Sequence, residues 1–284
     1  MAILLEGKKV AKALDERSCA EAAALIKAGV TPTLAIVRLG ERADNAVYER
    51  AAVKRCESAG VSVKRLTLPQ DAAQDELLAI IASVNNDSSI HGCLLLRPFP
   101  SSVDENAACA ALAPAKDVDG VTSGSFAAVF SGGAGSAGFP PCTARACMEI
   151  LSAYGIDPAG RKTVVVGRSL VVGKPVAMML LQQNATVTIC HSKTKDLAAV
   201  CREAEILIVA AGRRNLAGSA FFNANQTVID VGINTGEDGR LCGDVDFAQA
   251  EPVVRAITPV PGGVGTVTTS VLALHTILAA ANAK

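Results

Sequence analysis

The sequence has no net charge and no long apolar run, and each absence excludes a class of protein. Its 27 Lys and Arg residues balance 27 Asp and Glu residues over 284 positions, which argues against a nucleic-acid or membrane-surface partner. No apolar run approaches the roughly 18 residues of a membrane-spanning helix, and the start at Met1 to Lys9 is too short for a signal-peptide core. We therefore expect a cytoplasmic protein without nucleic-acid or membrane partners.

Cysteine and histidine lack the spacing of a disulfide framework or a metal site. The nine cysteines are odd in number, include no Cys-x-x-Cys pair and lie mostly in apolar patterns, which favours small buried thiols. The expected buried thiols include Cys19, Cys56 and Cys201. The three histidines are scattered, so no metal site is predicted. His91 and His275 are expected to be structural, whereas His191 adjoins a candidate cofactor contact.

Half of the residues are hydrophobic, which is ample for sizeable cores. In the first part of the chain, segments with strand and helix patterns alternate. Strands are predicted at 3–5, 33–37, 61–68 and 90–96, and helices at 8–28, 44–59 and 71–84. Alternation of this kind favours parallel strands joined by helical crossovers, with ligands bound beyond the carboxyl ends of the strands.

The pattern loosens between Pro98 and Pro141, where a glycine- and serine-rich stretch runs from Ser131 to Gly138. We place a domain boundary there. Beyond it, a helix is predicted at 143–153 and strands recur at 163–166, 186–190, 205–209 and 227–231, spacings that suit a dinucleotide-binding sheet. The predicted fold is α/β with two domains. They are residues 1–140, completed by a C-terminal helix at 269–284, and a Rossmann-like domain at 141–268.

Residues 163–175, Thr-Val-Val-Val-Gly-Arg-Ser-Leu-Val-Val-Gly-Lys-Pro, predict a strand, a tight turn and a helix start. Such a turn exposes backbone N–H groups at the positive end of a helix, where a phosphate is stabilised. Arg168 and Ser169 could reach the same anion. The usual dinucleotide fingerprint has a glycine where this chain has Ser169, and only Gly173 closes the pattern. An ordinary glycine-containing turn after a buried strand is the alternative.

Seven short blocks, in order along the chain, resemble the methylenetetrahydrofolate dehydrogenase/methenyltetrahydrofolate cyclohydrolase family. The blocks are Pro114-Ala-Lys-Asp-Val-Asp-Gly120, Phe139-Pro-Pro-Cys-Thr143, Val166-Gly-Arg-Ser169 with Val172-Gly-Lys-Pro175, Cys190-His-Ser192, Val228-Ile-Asp-Val-Gly-Ile-Asn234, Gly243-Asp-Val-Asp246 and Thr258-Pro-Val-Pro-Gly-Gly-Val-Gly265. The resemblance implies a parallel-sheet folate-binding N-terminal domain, a Rossmann-like NAD(P)-binding domain and a cleft between them. It also implies a homodimer assembled through the cofactor domain.

The implied reaction is oxidation of 5,10-methylenetetrahydrofolate to 5,10-methenyltetrahydrofolate. Hydride leaves the one-carbon bridge between two folate nitrogens, whose lone pairs stabilise the cation, so orientation matters more than a protein base. By resemblance, Tyr48 belongs to the catalytic and substrate site, and Asp119 grips the pterin amide and amino donors. Gly262 and Gly263 let the backbone approach folate. The alternative for Asp119 is a turn or capping aspartate beside Gly120. The alternative for Gly262 and Gly263 is a flexible turn without a ligand contact.

On the cofactor side, the resemblance assigns Gly167, Arg168 and Ser169 to the phosphate-binding turn and Ile233 to the nicotinamide carboxamide. Ser192 is a further candidate. Arg168 and Ser192 suit an extra ribose phosphate, and no acidic residue ends the 186–190 strand, where one would favour a bare ribose hydroxyl. NADP is therefore preferred to NAD, although Arg168 could be a solvated surface charge.

The sequence departs from the family in three motifs. The family motif Ser-x-x-Tyr-x-x-x-Lys reads here Asn45-Ala-Val-Tyr48-Glu-Arg-Ala-Ala52, so the tyrosine stays and the lysine is gone. Leu96 replaces a glutamine before the Pro-x-Pro turn, and Thr266 stands where the family usually has proline. By resemblance, the lysine and the glutamine act in hydrolysis of the methenyl cation, where general acid–base help contributes roughly 10²- to 10⁴-fold.

Two neighbouring cations are poor replacements. Lys54 lies about 200° around the helix from Ala52, and Arg97 should face the opposite side of the strand from Leu96 unless the turn at Pro98 re-aims it. We therefore expect an NADP-dependent dehydrogenase with weak or absent cyclohydrolase activity. A fully bifunctional enzyme is one alternative. A non-catalytic or altered-substrate protein that binds folate and NADP is the other.

Overall fold

The computed structural model of the chain describes residues 1–40, 43–132, 138–236 and 239–283, and every side chain within these ranges except those of residues 43–45. Two compact units form. One, here the three-stranded unit, comprises Lys12–Cys142 and Thr269–Lys284, and the other, the six-stranded unit, comprises Met1–Ala11 and Thr143–Thr268. Most of the predicted Ser131–Gly138 linker lies outside the described residues.

The described elements follow one another as alternating strands and helices over most of the chain. The strands are β1 (Ile3–Leu4), β2 (Thr33–Leu39), β3 (Ser62–Leu68), β4 (Gly92–Leu95), β5 (Lys162–Val166), β6 (Thr186–Cys190), β7 (Ile206–Val209), β8 (Thr227–Asp230), β9 (Asn234–Thr235), β10 (Leu241–Cys242) and β11 (Ala256–Ile257). The α-helices are α1 (Gly7–Lys27), α2 (Ala43–Ser58), α3 (Gln74–Asn86), α4 (Glu105–Ala111), α5 (Ser123–Ser131), α6 (Cys142–Ala153), α7 (Gly173–Gln182), α8 (Leu197–Arg202), α9 (Phe247–Ala250) and α10 (Val264–Asn282).

The three-stranded unit is built on a parallel sheet in the order β3-β2-β4. Helix α3 places Leu77, Ile81 and Val84 on one face, at the spacing of a buried helical stripe. These side chains join β2 residues such as Val37 in a single apolar core. Burying each of them contributes about 1.5–3 kcal/mol, and this core holds the carboxyl ends of β2 and β4 in place.

The six-stranded unit is a fully parallel sheet in the order β1-β11-β8-β7-β5-β6. Its central strands read as unbroken apolar runs, such as Ile-Leu-Ile-Val in β7, and all four residues of that strand are buried. Continuous runs of this kind are typical of parallel strands covered on both faces. The predicted α/β fold with two domains is confirmed. A small antiparallel hairpin, β9 with β10, lies outside the main sheet.

Residues 1–11 belong to the six-stranded unit. The boundary predicted from the sequence had placed them in the first domain with residues 12–140. The reason is backbone pairing, because Ile3 and Leu4 add an edge strand beside Ala256 and Ile257. Helix α10 begins at Val264, five residues before the predicted start. Helices α4 and α5 lie in the stretch that reads as loosened in the sequence, and the side chains of Asp104 and Thr122 cap their first turns.

The apolar composition of α10 corrects a second expectation. This helix is long and apolar enough to span a membrane by length and composition, yet 78% of its most apolar window is buried inside the protein. That burial is typical of a core helix.

Cys19 also differs from expectation, because its thiol is exposed and donates to the Ser58 carbonyl oxygen at 3.4 Å. After Ala11, the buried positions of α1 are Leu14, Ser18, Ala22 and Leu25, so Cys19 lies one residue past a buried position. Cys56 and Cys201 are buried, as predicted.

Candidate functional site

Asp117 and Asp119 lie side by side in the three-stranded unit but have different surroundings. A parallel bridge between Cys93 and Asp117 places this segment beside the end of β4. The Asp117 carboxylate is fully buried and accepts hydrogen bonds from the Thr122 N–H at 2.7 Å and the Ser125 hydroxyl at 2.6 Å. The hydrogen bonds of Asp117 thus hold the start of α5. Asp119 is half-buried and is the carboxylate that a ligand can reach.

The Asp119 carboxylate faces Tyr48 and Cys142. Enclosure by protein raises the pKa of Asp119 to about 6, and the nearby Asp117 adds to this increase. Hydrogen bonds from the thiol and backbone N–H of Cys142, together with the charge of Arg97, oppose it. The pKa of the Tyr48 hydroxyl is raised mainly by burial and next by the Asp119 charge. Tyr48 is therefore a neutral hydroxyl at physiological pH, beside a carboxyl group that titrates near neutrality.

The positions of the missing lysine and glutamine are fully enclosed. Ala52 lies one turn after Tyr48 on α2 and is 0% exposed, and Leu96 is 3% exposed. Lys54 points to solvent, as expected from its angle around the helix. Neither position supplies an ionisable or hydrogen-bonding side chain to the surroundings of Tyr48.

Strand β4 ends at Leu95, so strand alternation does not extend to Arg97. Its guanidinium donates to Glu105 at 3.2 Å, and its charge reaches Asp119. The same Glu105 accepts the Phe99 N–H at 3.0 Å. Arg97 is thus a fixed, ion-paired cation within electrostatic range of Asp119.

A cavity of about 210 Å³ in the six-stranded unit brings together Ile233, Gly262 and Gly263. Ile233 follows β8 and is 65% exposed. Gly262 has a φ of +108°, and a Cβ at Gly263 would overlap the Pro259 carbonyl. Both positions therefore require glycine, and the turn presents bare backbone to the cavity.

The turn after β5 also depends on glycine. Gly167 has a φ of +131°, and a Cβ there would overlap the Ala210 carbonyl. A Cβ at Gly173 would overlap the Gly167 carbonyl. The Ser169 hydroxyl accepts the N–H groups of Val172 at 3.1 Å and Gly173 at 3.4 Å, so it caps α7 and keeps its own proton to donate. The turn is a backbone cradle at a helix N-terminus, which suits a phosphate.

A second cavity, of about 250 Å³, lies at this turn. It is lined by residues that follow three adjacent strands: Gly167, Arg168 and Ser169 after β5, His191 and Ser192 after β6, and Arg213 after β7. The structure therefore groups four sequence-predicted residues, Gly167, Arg168, Ser169 and Ser192, in one cavity of the six-stranded unit.

Two buried aspartates shape the loops beside these cavities. Asp230 accepts N–H groups from Gly232, Asp244 and Val245 at 3.0 Å each, and burial raises its pKa to about 6. Asp244 accepts three consecutive N–H groups from the loop after β7 and the Asn234 amide at 2.9 Å. Both carboxylates hold loop backbone in place.

The histidines have the expected roles. The His91 ring nitrogen Nδ1 accepts the Thr33 N–H at 3.2 Å, and His275 Nδ1 lies 2.9 Å from the Val118 carbonyl oxygen. His191 lines the second cavity. Within the described ranges, no three His, Cys, Asp or Glu side chains group as a metal site would require.

Sequence reasoning missed two residues of these sites. Cys142 was quoted only as part of the Phe139–Thr143 block, and nothing in its spacing indicated that its thiol would face Asp119. Arg213 begins a basic pair directly after the predicted strand at 205–209. That position at the carboxyl end of a parallel strand was a usable signal for a ligand contact.

Known proteins of one family match almost the whole chain. Residues 5–119 match the family model described as tetrahydrofolate dehydrogenase/cyclohydrolase, catalytic domain, and residues 141–284 match the model described as its NAD(P)-binding domain. The bifunctional protein FolD of Clostridioides difficile is 46% identical over 276 residues, which cover 97% of this chain and 96% of the relative.

Two solved structures have the same fold over the full length. The bifunctional enzyme FolD of Campylobacter jejuni, a methylenetetrahydrofolate dehydrogenase/cyclohydrolase, superposes with a TM-score of 0.96 at 37% identity and 99% coverage of both chains. The FolD of Trypanosoma brucei, complexed with NADP cofactor and inhibitor, has a TM-score of 0.92 at 33% identity, covering 99% of this chain and 98% of its own.

Proposed function

Because this chain belongs to the tetrahydrofolate dehydrogenase/cyclohydrolase family, we propose that it oxidises 5,10-methylenetetrahydrofolate to 5,10-methenyltetrahydrofolate with NADP, and that its cyclohydrolase activity is weak or absent. The observation that carries the second part is the pair of enclosed apolar side chains at positions 52 and 96, where Ala52 lies one helical turn after Tyr48 and Leu96 directly precedes Arg97.

For the dehydrogenase step, the chain's own residues bind and orient the folate. An ionised Asp119 accepts hydrogen bonds from the adjacent amide and amino donors of the pterin, which two carboxylate oxygens suit well. The neutral Tyr48 hydroxyl is placed beside it as a second polar contact. Folate nitrogens stabilise the cation as hydride leaves, so no protein base is required, and positioning supplies the rate enhancement.

NADP fits the six-stranded unit on two observations. The turn from Gly167 to Gly173 has no room for a Cβ at either glycine, and the adjoining cavity is lined by Arg168 and Ser192. Ser169 keeps a proton to donate, and Ile233 borders the other cavity. When bound, NADP supplies the nicotinamide ring that accepts the hydride.

Hydrolysis needs proton transfers that these surroundings supply poorly. An alanine at position 52 and a leucine at position 96 leave no amine or amide beside Tyr48. Arg97 cannot replace the lysine, because a guanidinium stays protonated in proteins and this one is paired with Glu105. Loss of general acid–base help lowers a rate roughly 10²- to 10⁴-fold. We expect this decrease in the rate of hydrolysis and not in the rate of hydride transfer, which needs no protein base.

A paired assay on the purified protein tests this proposal. We expect reduction of NADP, and slower reduction of NAD, with methylenetetrahydrofolate, whereas methenyltetrahydrofolate decays no faster than in buffer. Hydrolysis by the unaltered protein at a rate comparable to its dehydrogenase turnover would show it to be bifunctional. Absence of both activities would favour a protein that binds these ligands without turnover or acts on another substrate.

We further propose a cytoplasmic homodimer that assembles through the six-stranded unit. The surface that supports this proposal is β6, which pairs with β5 on one side only and exposes part of Ile189. An edge strand with unpaired backbone groups is a ready template for a second copy. Nucleic-acid and membrane partners are not part of the proposal.

A further inference from the structure

Arg213 lines the second cavity, and so does Arg168. The two arginines come from different loops, one after β7 and the other after β5, and these strands are neighbours in the sheet. Ser192, after β6, completes the polar lining. The family resemblance draws attention to Arg168 and Ser192 and leaves Arg213 without a role.

The backbone of Arg213 is held in place. The N–H groups of Ala211, Gly212 and Arg213 donate to the buried Asp244 carboxylate at 2.7, 2.8 and 2.8 Å. Gly212 has a φ of +64°, a conformation that suits a loop wrapping around one carboxylate. The side chain at position 213 therefore projects from a rigid support, and its replacement leaves these three backbone bonds intact.

The guanidinium groups of Arg168 and Arg213 have no intramolecular partner among the described residues, and both side chains are exposed. No carboxylate lines the cavity that they share. Two cations lining one cavity, together with a serine that follows the strand on the other side of β5 from β7, form a site that a doubly charged anion would neutralise. Guanidinium groups bind phosphate through paired, charge-assisted hydrogen bonds.

Resting on the proposed NADP dependence, we infer that Arg213 is a specificity-determining residue that binds the ribose phosphomonoester of the cofactor together with Arg168 and Ser192. The contact distinguishes NADP from NAD, because NAD has a hydroxyl where NADP carries this phosphate. Arg213 contributes nothing to the hydride transfer itself.

The test measures binding and needs no turnover. The full-length protein is titrated calorimetrically with adenosine 2′,5′-bisphosphate and, separately, with adenosine 5′-monophosphate, which lacks the ribose phosphomonoester. Arg213→Gln is compared with Arg214→Gln, which removes the same charge from the adjacent exposed residue outside the cavity lining. Arg213→Lys keeps the charge and removes the planar fork.

We expect Arg213→Gln to weaken the bisphosphate by about 10- to 100-fold, the usual effect of losing a hydrogen bond to a charged group. Binding of the monophosphate should change less than about twofold, Arg214→Gln should match the unaltered protein, and Arg213→Lys should lie between. An equal loss of bisphosphate affinity in Arg214→Gln would mean that the overall positive charge of this loop, and not a direct contact by Arg213, determines the affinity.

The outcomes separate this inference from the proposed function. If the unaltered protein prefers the bisphosphate and Arg213→Gln retains that preference, the role of Arg213 is wrong and NADP dependence stands. If the unaltered protein binds both probes equally, the proposed preference for NADP is wrong, and the inference about Arg213 is overturned with it.

Discussion

Ala52 lies one helical turn after Tyr48 on α2 and is fully buried, so the face of the helix that carries the tyrosine continues into the apolar interior. Tyr48 keeps its hydroxyl next to Asp119, but it has no amine one turn away to exchange protons with. The raised pKa of the Tyr48 hydroxyl, caused first by burial and then by the Asp119 charge, agrees with a group that stays protonated. This relationship is the basis of the first prediction.

Restoring both side chains should restore hydrolysis. In Ala52→Lys with Leu96→Gln, we expect the decay of methenyltetrahydrofolate to rise roughly 10²- to 10⁴-fold above that of the unaltered protein, because general acid–base help returns. The dehydrogenase rate should change little. Both rates are measured spectrophotometrically on the same preparation.

The matched control is Ala52→Met with Leu96→Gln, since methionine approximates the length of lysine without its charge. Both double variants overpack a buried position, which costs about 1–3 kcal/mol of stability. Their thermal unfolding temperatures should therefore decrease by similar amounts. Equal hydrolysis by the methionine and lysine variants would contradict a role for the amine.

The second prediction concerns pH and Asp119. Its pKa of about 6 means that the carboxylate is ionised above that pH and neutral below it, where it can no longer accept two hydrogen bonds. We therefore expect the KM for methylenetetrahydrofolate to rise as the pH falls through 6, with little change in the KM for NADP. Steady-state kinetics across this range measure the effect. Asp119→Asn should have a high folate KM at every pH, and retention of the acidic limb in this variant would exclude Asp119 as its source.

Much of the fold was predictable because the buried strands of a parallel sheet are short, unbroken apolar runs. The helices instead repeat their apolar residues every three or four positions. Strands β2, β5, β7 and β8 were found almost to the residue. Other elements depend on tertiary context. The two residues of β1 become a strand only because β11 lies beside them, and local sequence cannot reveal such a partner.

The same limit applies to the candidate sites. Asp119, Gly167 and Arg168 were identified through motifs, whose residues are close in sequence. The approach of Cys142 to Asp119 joins positions more than twenty residues apart and is determined by packing. The direction of the Arg97 side chain could not be read from strand alternation, because β4 ends at Leu95 and the alternation has no physical basis beyond the strand.

A third prediction follows from Cys142. Its thiol, which donates to the Val118 carbonyl oxygen at 3.3 Å, also interacts with the Asp119 carboxylate, and together with the Cys142 N–H it opposes the increase in the pKa of Asp119. Removing the thiol in Cys142→Ala should move the acidic limb of the folate KM to higher pH. Cys147→Ala is the matched control, since that thiol is also buried but donates to the Thr143 carbonyl oxygen at 3.3 Å. A shift to lower pH, or equal shifts in both variants, would contradict the assignment.

The fourth prediction concerns the turn after β5. Gly173→Ala places a Cβ against the Gly167 carbonyl, so the turn must open and the cradle for the phosphate is lost. We expect NADP binding to weaken by at least tenfold, the equivalent of about 1.4 kcal/mol, when it is measured by calorimetry. Gly155→Ala is the comparison, because its Cβ meets nothing within 4 Å while its φ of +66° still imposes strain. That variant should lose about 1–2 kcal/mol of stability and keep its affinity for NADP.

The last prediction concerns the exposed edge of the six-stranded sheet. Ile189 lies on β6 and is 36% exposed, so a lysine there would set a charge against the same position of a second copy across a paired edge. We expect Ile189→Lys to sediment as a monomer at concentrations where the unaltered protein is a dimer. Val253→Lys should remain dimeric, because Val253, 39% exposed, lies in the same unit but outside β6. A dimer that persists in Ile189→Lys would place the interface on another surface, and a monomeric unaltered protein would remove the proposal of a homodimer altogether.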